Sequence, residues 1–574
     1  WSSDVCSSDL IDKPQRWDEP FSRDMTDSDI DFVLSIAPFN DMDASRFPDS
    51  FPLAEIIRND TRVLEFSDGE VIVRQGDYGN SAFVVLLGHV DIILPPGVPE
   101  SMLGRSDNRS KGFFEAFSQL WTNPRHPEVR DYREGHTQTS IDEDARTKIF
   151  LADLTAEMPA TRSVRLGEGN MIGEIAALSR TQRSATVIAS GYTKVLEVRW
   201  QALRDIRQRA TEFREMVDNL YRERSLANHL QSIPLFQHVS EESIEIITQA
   251  TIFETYGNFD WYSSYNKATA TKDYNDLINQ EPLILQEGDY VDGLLLIRAG
   301  FARVSYQANQ GTKTLSYLGK GSVFGLREMV ASDAKDSASS KFSLRALGYT
   351  DVLRVPTRVV EDLVLPGLPA EILKQYRLSY PEDIGDDGST VNTGNKPIDS
   401  TLLEHLVERR FINGTATMMI DLDRCTRCDE CVRACANGHN NNPRFIRHGP
   451  IHDNYMVANA CMQCQDPVCM IGCPTGAIHR TLEGVIKIND VSCIGCATCA
   501  NACPYDNIRM VPIRDDKGAI LRDKQTHVPI NKATKCDLCE DQLGGPACQR
   551  ACPHDALVRM DMRDFDALTH WVQR

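Results

Sequence analysis

Two β-roll domains, jelly-roll-like and flanked by helices, followed by a small α+β domain organised by cysteines, make up the multidomain fold that the sequence predicts. Three observations predict it. Of the 17 cysteines, one lies within residues 1–424 and sixteen lie within 425–552. A pattern of short strands and glycine turns in the first 228 residues recurs, with matching strings, in residues 229–376. A stretch rich in Pro, Gly, Asp and Ser/Thr at 381–400 then separates the repeats from the cysteines.

At 574 residues the chain has room for three or four domains, each able to bury its own core. The first ten residues, WSSDVCSSDL, lack an initiator Met and are of low complexity. Cys6 is set aside with them, and residues 1–30 are expected to be a disordered, non-native leader. Residues 31–228 form the first β-roll. Runs such as Val71-Ile-Val73 and Phe83-Val-Val-Leu-Leu87 alternate there with turns at Gly76, Gly79 and Gly88. About 96–163 is polar and turn-rich and reads as an insertion. Strand character returns from Ile172 to Val198, and Phe213, Met216, Val217, Leu220 and Tyr221 then recur at helical spacing. Residues 229–376 hold the second roll, 377–415 a linker and 416–574 the cysteine domain.

Composition excludes several classes. Hydrophobic residues at 41% and charged residues at 25% fit a water-soluble globular chain. No apolar run approaches the ~18 residues of a spanning helix, and there is neither a secretory h-region nor a twin-arginine leader. A cytoplasmic protein without direct membrane insertion is expected. The net charge of −20 argues against nucleic acid, because neutralising phosphates requires clustered Lys and Arg.

The repeat is carried by two pairs of strings. Arg74-Gln-Gly-Asp-Tyr78 is echoed by Gln286-Glu-Gly-Asp-Tyr290, and Gly191-Tyr-Thr-Lys-Val-Leu196 by Gly348-Tyr-Thr-Asp-Val-Leu353. Asp77 to Gly191 spans 114 residues and Asp289 to Gly348 spans 59, so the insertion belongs to the first copy. The segment from Gly173-Glu-Ile-Ala176 through Arg183-Ser184 to Val187, with Gly76, Gly79 and Gly88 upstream, resembles the phosphate-binding cassette of cyclic nucleotide-binding domains of the catabolite-activator and kinase-regulatory type. A short helix starting at Gly173 would offer backbone N–H groups to a cyclic phosphate, with charge-assisted bonds from Arg183 and a hydroxyl from Ser184. The resemblance further implies that Glu174 accepts the ribose 2′-hydroxyl and that a helix at 211–225 covers the base. Gly173, Glu174, Ile175, Ala176, Arg183 and Ser184 are the expected nucleotide-binding residues, with cAMP or cGMP as ligand. An empty structural or dimerising roll is the alternative, and a homodimer through the rolls is the expected assembly.

The second copy departs from this pattern. Setting Gly348 against Gly191 puts Ser340 opposite Arg183, and Arg327 and Glu328 fall out of step with a Gly-Glu pair. A cyclic phosphate there would be desolvated without its arginine. This copy is expected to be degenerate.

The cysteines form four groups of four: Cys425, Cys428, Cys431, Cys435; Cys461, Cys464, Cys469, Cys473; Cys493, Cys496, Cys499, Cys503; and Cys536, Cys539, Cys548, Cys552. In a tight C-x2-C-x2-C loop three thiolates reach three irons of one cubane, and a fourth, about a helical turn on, points to the other cluster of a pair. Zinc is the rival reading, since paired CxxC also builds ribbons. Zinc needs no third Cys at x2 and no Pro after the fourth, yet Cys473-Pro, Cys503-Pro and Cys552-Pro are present. Disulfides belong to small secreted domains.

With Cys461-Met-Gln-Cys-Gln-Asp-Pro-Val-Cys469, Cys473-Pro-Thr-Gly-Ala-Ile478 and Lys535-Cys-Asp-Leu-Cys539, residues 416–574 resemble the bacterial-ferredoxin-like iron–sulfur subunit of dimethyl-sulfoxide-reductase and formate-dehydrogenase-type oxidoreductases. The resemblance implies four [4Fe–4S] clusters with motifs paired first with fourth and second with third. Cys552 would then complete the first motif's cluster, Cys435 the fourth's, Cys503 the second's and Cys473 the third's. Histidines 439, 448, 452, 479 and 554 are expected near the clusters without ligating them. The expected protein is a non-catalytic electron-transfer subunit regulated through the first roll. Its partner would be a molybdopterin- or flavin-type oxidoreductase subunit. A redox-sensing regulator, with the clusters as sensor and the rolls binding partners, is the alternative.

Overall fold

The computed structural model describes residues 9–93, 118–119, 122–130, 163–179, 182–257, 278, 281–308, 311–331, 339–347, 350–369, 372, 402, 405–406, 409 and 411–572, less 19, 466 and 563. Most of the insertion and most of the linker lie outside the described residues. The chain divides into two compact units, Trp1–Arg214 with Glu408–Arg574, and Glu215–Val407. Among the described residues no helix is long and apolar enough to cross a membrane.

In the first unit, the long strands Ser81–Ile93 and Thr186–Arg199 pair antiparallel along most of their length. Thr61–Phe66 and Val71–Val73 add to the second of them, and Ser163–Leu166 and Met171–Ile172 to the first. Phe66, Ile72, Phe83, Val85, Val90, Ile172, Val187 and Val195 close the core inside this roll. A strand of thirteen residues can fold over a roll only if it bends, and Gly88, with φ +86°, supplies the bend. A Cβ there would stand 2.5 Å from the Tyr192 carbonyl oxygen.

The second unit repeats the path with the long strands broken. One sheet runs Val323–Phe324, Gly293–Ala299, Thr350–Pro356, Ile252–Tyr256. The other runs Gly311–Leu318, Ala302–Ala308, Ser343–Ala346, Leu283–Leu285. Gly300, φ +81°, stands at the break that Gly88 only bends. The backbone bonds correspond one to one. Gly76 N–H bonds Arg183 O and Arg183 N–H bonds Asp77 O, just as Gly288 N–H bonds Ser340 O and Ser340 N–H bonds Asp289 O. This pairing supports setting Ser340 against Arg183.

The cysteine domain has a sheet ordered Ile451–His452, Tyr455–Val457, Thr417–Asp421, Leu557–Met560 and two hairpin-like pairs, Ile478–Arg480 with Ile486–Ile488 and Arg509–Pro512 with Asn531–Thr534. Its short helices pack in twos. Glu430–Gly438 lies against Ala547–Arg550, and Val468–Ile471 against Thr498–Ala502. Each pair owns an apolar core, one built on Met418, Ile420, Phe445 and Leu557, the other on Met470, Ile478, Ile486 and Ile508.

One expectation needs correction. Residues 9–30 are not a disordered leader: Leu10–Ile11 pairs in parallel with Arg522–Asp523 of the cysteine domain, and Ile11 packs against its core. Arg16 reaches Asp205 at 3.0 Å, and the Asp27–Leu34 helix starts with a full capping box on Thr26. Apolar residues among charges, rather than composition, tie this segment down. The described part of the insertion also makes contacts of its own. Val129 bridges to Arg514, Asn123 Nδ2 donates to Asn437 O at 3.0 Å, and Arg130 pairs with Asp490, all on the cysteine domain.

Candidate metal centre and ligand pocket

The loops carrying the cysteines are wound by left-handed residues at regular places. Arg427 and Asp429 in the first motif have φ of 61° and 62°; Gly495 and Ala497, two and four residues into the third, have 68° and 63°. Gln463 and Leu538 do the same in the other two, at 54° and 58°. Successive N–H groups in such a turn face one concave side. In the fourth motif Leu538 N–H lies 3.5 Å from Cys536 Sγ, and beyond the loops Ala556 N–H lies 3.3 Å from Cys552 Sγ and Arg444 N–H 3.3 Å from Cys435 Sγ.

The sulfurs gather across motifs. One cavity is lined by Cys425, Cys428 and Cys431 together with Cys552, and another by Cys493, Cys496 and Cys499 together with Cys473. Burial pushes the Cys548 thiol up to about 12, with Cys536, Cys435 and Cys539 adding to it as close neighbours. Burial raises Cys503 to about 11, and Cys461 adds to that. Buried thiols gathered this closely, in cavities otherwise lined largely by Ile, Ala, Leu and Met, cannot stand as bare thiolates. Each of the two cavities fits a cationic iron–sulfur core that takes four sulfurs. Cys428 and Cys496 are exposed, whereas Cys431, Cys435, Cys461, Cys473, Cys493, Cys499, Cys503, Cys536, Cys539 and Cys548 are buried.

In the first β-roll, Gly173 has φ +74° and opens the helix Glu174–Ser179, in which Glu174, Ala176 and Ala177 are buried. The Ile175 side chain lies outside the described residues, and Ser184 is exposed. Arg183 is buried. Its guanidinium donates to Gly173 O at 2.7 Å and to Ser81 O at 2.6 Å. It fits because two glycines make room: a Cβ on Gly79 would meet Arg183 Cζ at 2.1 Å, and one on Gly173 would meet Nη1 at 2.4 Å.

The second roll fills the same space differently. Ser340 is buried and its hydroxyl turns back to Phe342 O at 2.7 Å. Val291 stands where the first roll has Gly79, and a Cβ on Gly325 would meet its Cγ1 at 2.9 Å. Leu326 occupies the place of Glu174, and burial raises the carboxyl of Glu328 two residues on.

Comparison with known proteins agrees with both halves. Residues 492–556 match the 4Fe-4S dicluster domain family, and residues 279–365 match the Cyclic nucleotide-binding domain family. Over 164 residues the chain is 35% identical to the electron transport protein HydN of Escherichia coli strain K12, covering 26% of this chain and 91% of that protein. It is 31% identical over 194 residues to the arsenate respiratory reductase iron-sulfur subunit ArrB of Shewanella sp. strain ANA-3, covering 26% of this chain and 82% of ArrB. The chain belongs to this family of iron–sulfur electron-transport proteins. The regulatory domain of Toxoplasma gondii PKA with cAMP overlays 62% of this chain and 99% of that one at 13% identity and a TM-score of 0.21, a score that carries no argument. The nucleotide-binding match falls on the roll that has Ser340 and Val291.

For an iron–sulfur electron-transport protein, the groups around the sulfurs matter as much as the sulfurs, and several escape a reading of spacing. Lys535 Nζ lies 3.3 Å from Cys461 Sγ, and Arg559 Nη2 lies 3.2 Å from Cys536 Sγ. Of the five histidines expected near the clusters, His439 is buried, with Nδ1 2.8 Å from Cys435 O and Nε2 2.9 Å from Asp537. The first roll also touches the cluster domain directly. Asn80 donates to Arg480 O at 2.8 Å and accepts from Arg480 N–H at 3.3 Å. The Arg480 guanidinium lies over the Tyr78 ring and donates to Cys464 O at 2.9 Å. Nothing in a single sequence marks a contact between residues 400 positions apart.

Proposed function

We propose that the chain is an electron-transfer subunit with four [4Fe–4S] clusters, each held by three cysteines of one motif and the fourth of another. The observation that carries this reading is the gathering of Cys552 with Cys425, Cys428 and Cys431, and of Cys473 with Cys493, Cys496 and Cys499. Cys435 beside Cys548 and Cys503 beside Cys461 supply the other two crossings. A bound cluster supplies a one-electron carrier. The protein's residues do the rest: apolar side chains keep water out, and N–H groups stabilise charge on sulfur. The exposure of Cys428 and Cys496, in different sets, supports two separate faces for electron entry and exit. A molybdopterin- or flavin-type oxidoreductase subunit is the partner class, and it would hold the substrate chemistry.

In this reading both rolls are cyclic nucleotide-binding-type domains, the first a sensor for cAMP or cGMP and the second a scaffold. Arg183, Gly173 and Glu174 converge in the first. Its neighbours Tyr78 and Asn80 seat on Arg480, whose side chain holds the Cys464 loop. Nucleotide at Arg183 would compete with its bond to Ser81 O, next to Asn80.

The deciding experiment is metal analysis with paramagnetic resonance on anaerobically purified protein. About sixteen iron and sixteen sulfide per chain are expected, and Cys552→Ser should disturb the cluster of the first motif. Stoichiometric zinc, or damage confined to the fourth motif's own cluster, would sink the reading.

A further inference from the structure

Two cations are lodged between two of the thiol sets, and each touches both. Lys535 Nζ donates to Cys461 Sγ at 3.3 Å, to Cys536 O at 2.9 Å and to Ile486 O. Arg559 reverses the pattern, donating to Cys536 Sγ at 3.2 Å and to Cys461 O at 3.1 Å, with Ala416 O at 3.0 Å. Lys535 is 4% exposed, and the Arg559 Nε is buried without a hydrogen-bond partner. Among the described residues neither cation has a carboxylate within ion-pair distance. The nearby Asp537 is already paired with His439, and Glu540 with Lys487. A buried and a half-buried charge with sulfur as their acceptor need negative charge on that sulfur.

The set at Cys425, Cys428 and Cys431, of which Cys428 is exposed, has no such arrangement. Its neighbours Arg433 and Arg447 are each paired with a carboxylate, Glu430 and Asp429. Around Cys493, Cys496 and Cys499 the lining is apolar or hydroxyl-bearing.

We propose that Lys535 and Arg559 are positioning residues that raise the reduction potentials of the two clusters meeting at Cys461 and Cys536, making this junction the resting place of electrons on the relay. The inference rests on the four-cluster reading above. A thiolate-ligated cluster is anionic and gains one negative charge per electron, so a fixed cation beside its sulfur stabilises the reduced form more. The electron gained at the junction is one lost by the outer set that delivered it. No proton is required, because the compensating charges are permanent.

The test is a redox titration with dithionite of full-length protein, followed by paramagnetic resonance, with iron measured on every sample. Lys535→Met and Arg559→Gln should each lower two of four midpoints by at least 59 mV, the equivalent of tenfold for one electron. The other two midpoints should stay in place, and Lys535→Arg and Arg559→Lys should keep most of the wild-type value. Unmoved midpoints at full iron content would overturn the proposal, as would equal shifts in all four. If both neutral variants lose iron while both charge-conserving ones keep it with altered potentials, the cations act on assembly and the proposal also falls. Fewer than four clusters in the wild type would overturn the underlying reading instead.

Discussion

The first and second β-rolls share a backbone and differ in what fills one small space. In the first, Gly79 and Gly173 leave room for the Arg183 guanidinium; in the second, Val291 fills that room and Ser340 replaces the arginine. The exchange is reciprocal, long for short at one position and small for branched at the other. Main-chain pairing at Gly76, Asp77 and Arg183 persists at Gly288, Asp289 and Ser340. The lesson is that turn glycines and ladder bonds preserve the scaffold, while a pair of side chains decides whether the scaffold can offer a charge to a phosphate.

The comparison can be broken hardest at that pair. Arg183→Ala should cost about 1.5–3 kcal/mol of nucleotide affinity, roughly ten- to hundredfold, read by calorimetry with cAMP and cGMP. Gly79→Val should abolish binding as well and strain the roll by about 1–3 kcal/mol, because the valine displaces a buried guanidinium from both its carbonyls. Adding Arg183→Ser to Gly79→Val recreates the second roll's pair. It should restore protection of the Ser81–Ile93 amides against hydrogen exchange without restoring binding. A double variant no better protected than Gly79→Val alone would mean the two positions do not share the space. The converse triple change, Val291→Gly with Ser340→Arg and Leu326→Glu, should give the second roll weak binding where the wild type has none.

Acidification sharpens the comparison from the second unit's side. His229 is mostly buried, its Nδ1 2.8 Å from the Tyr221 hydroxyl, and burial lowers it to about 4. An unfolded histidine titrates near 6.5, so the unfolded state binds more protons between about 4 and 6.5. Stability of the second unit should therefore be full above pH 6.5 and fall as pH drops towards 4, by about 2–3 kcal/mol. His229→Gln should flatten that slope when unfolding of the unit is followed by hydrogen exchange at several pH values.

What could be read in advance follows from the physics of each part. Cluster ligands must sit on short loops at set distances, so the four cysteine groups are legible in spacing, while the crossing partners came only from the family resemblance. The rolls are legible because a bend or tight turn needs glycine at Gly76, Gly88 and Gly288, leaving strings that repeat. Val291 opposite Gly79 was legible too, one residue beyond the Asp-Tyr string, but the lost arginine and the displaced Gly-Glu pair drew the attention instead. Residues 9–30 misled because few apolar residues, such as Ile11 and Phe21, tie down a stretch whose composition looks disordered. Lys535, Arg559 and the Asn80–Arg480 contact had no periodicity to reveal them, since their partners come from distant parts of the chain.

The smallest expected effect tests whether the first roll does more than bind. Asn80 makes two hydrogen bonds to the Arg480 backbone, and Arg480 in turn holds the carbonyl of Cys464. Asn80→Ala should leave Arg183 and its glycines intact, so nucleotide affinity of the oxidised protein should change by less than about threefold. If nucleotide and electron are linked through this contact, wild-type affinity differs between oxidised and reduced protein, and by reciprocity nucleotide shifts a cluster midpoint by the equivalent amount. Breaking one or two hydrogen bonds, worth about 1 kcal/mol each, should remove most of a coupling of that size. The measurement is calorimetry on oxidised and dithionite-reduced protein, wild type beside Asn80→Ala. A redox-dependent affinity that survives the substitution would route the coupling elsewhere, and the same affinity in both redox states of the wild type would leave the first roll a sensor with no hold on the clusters.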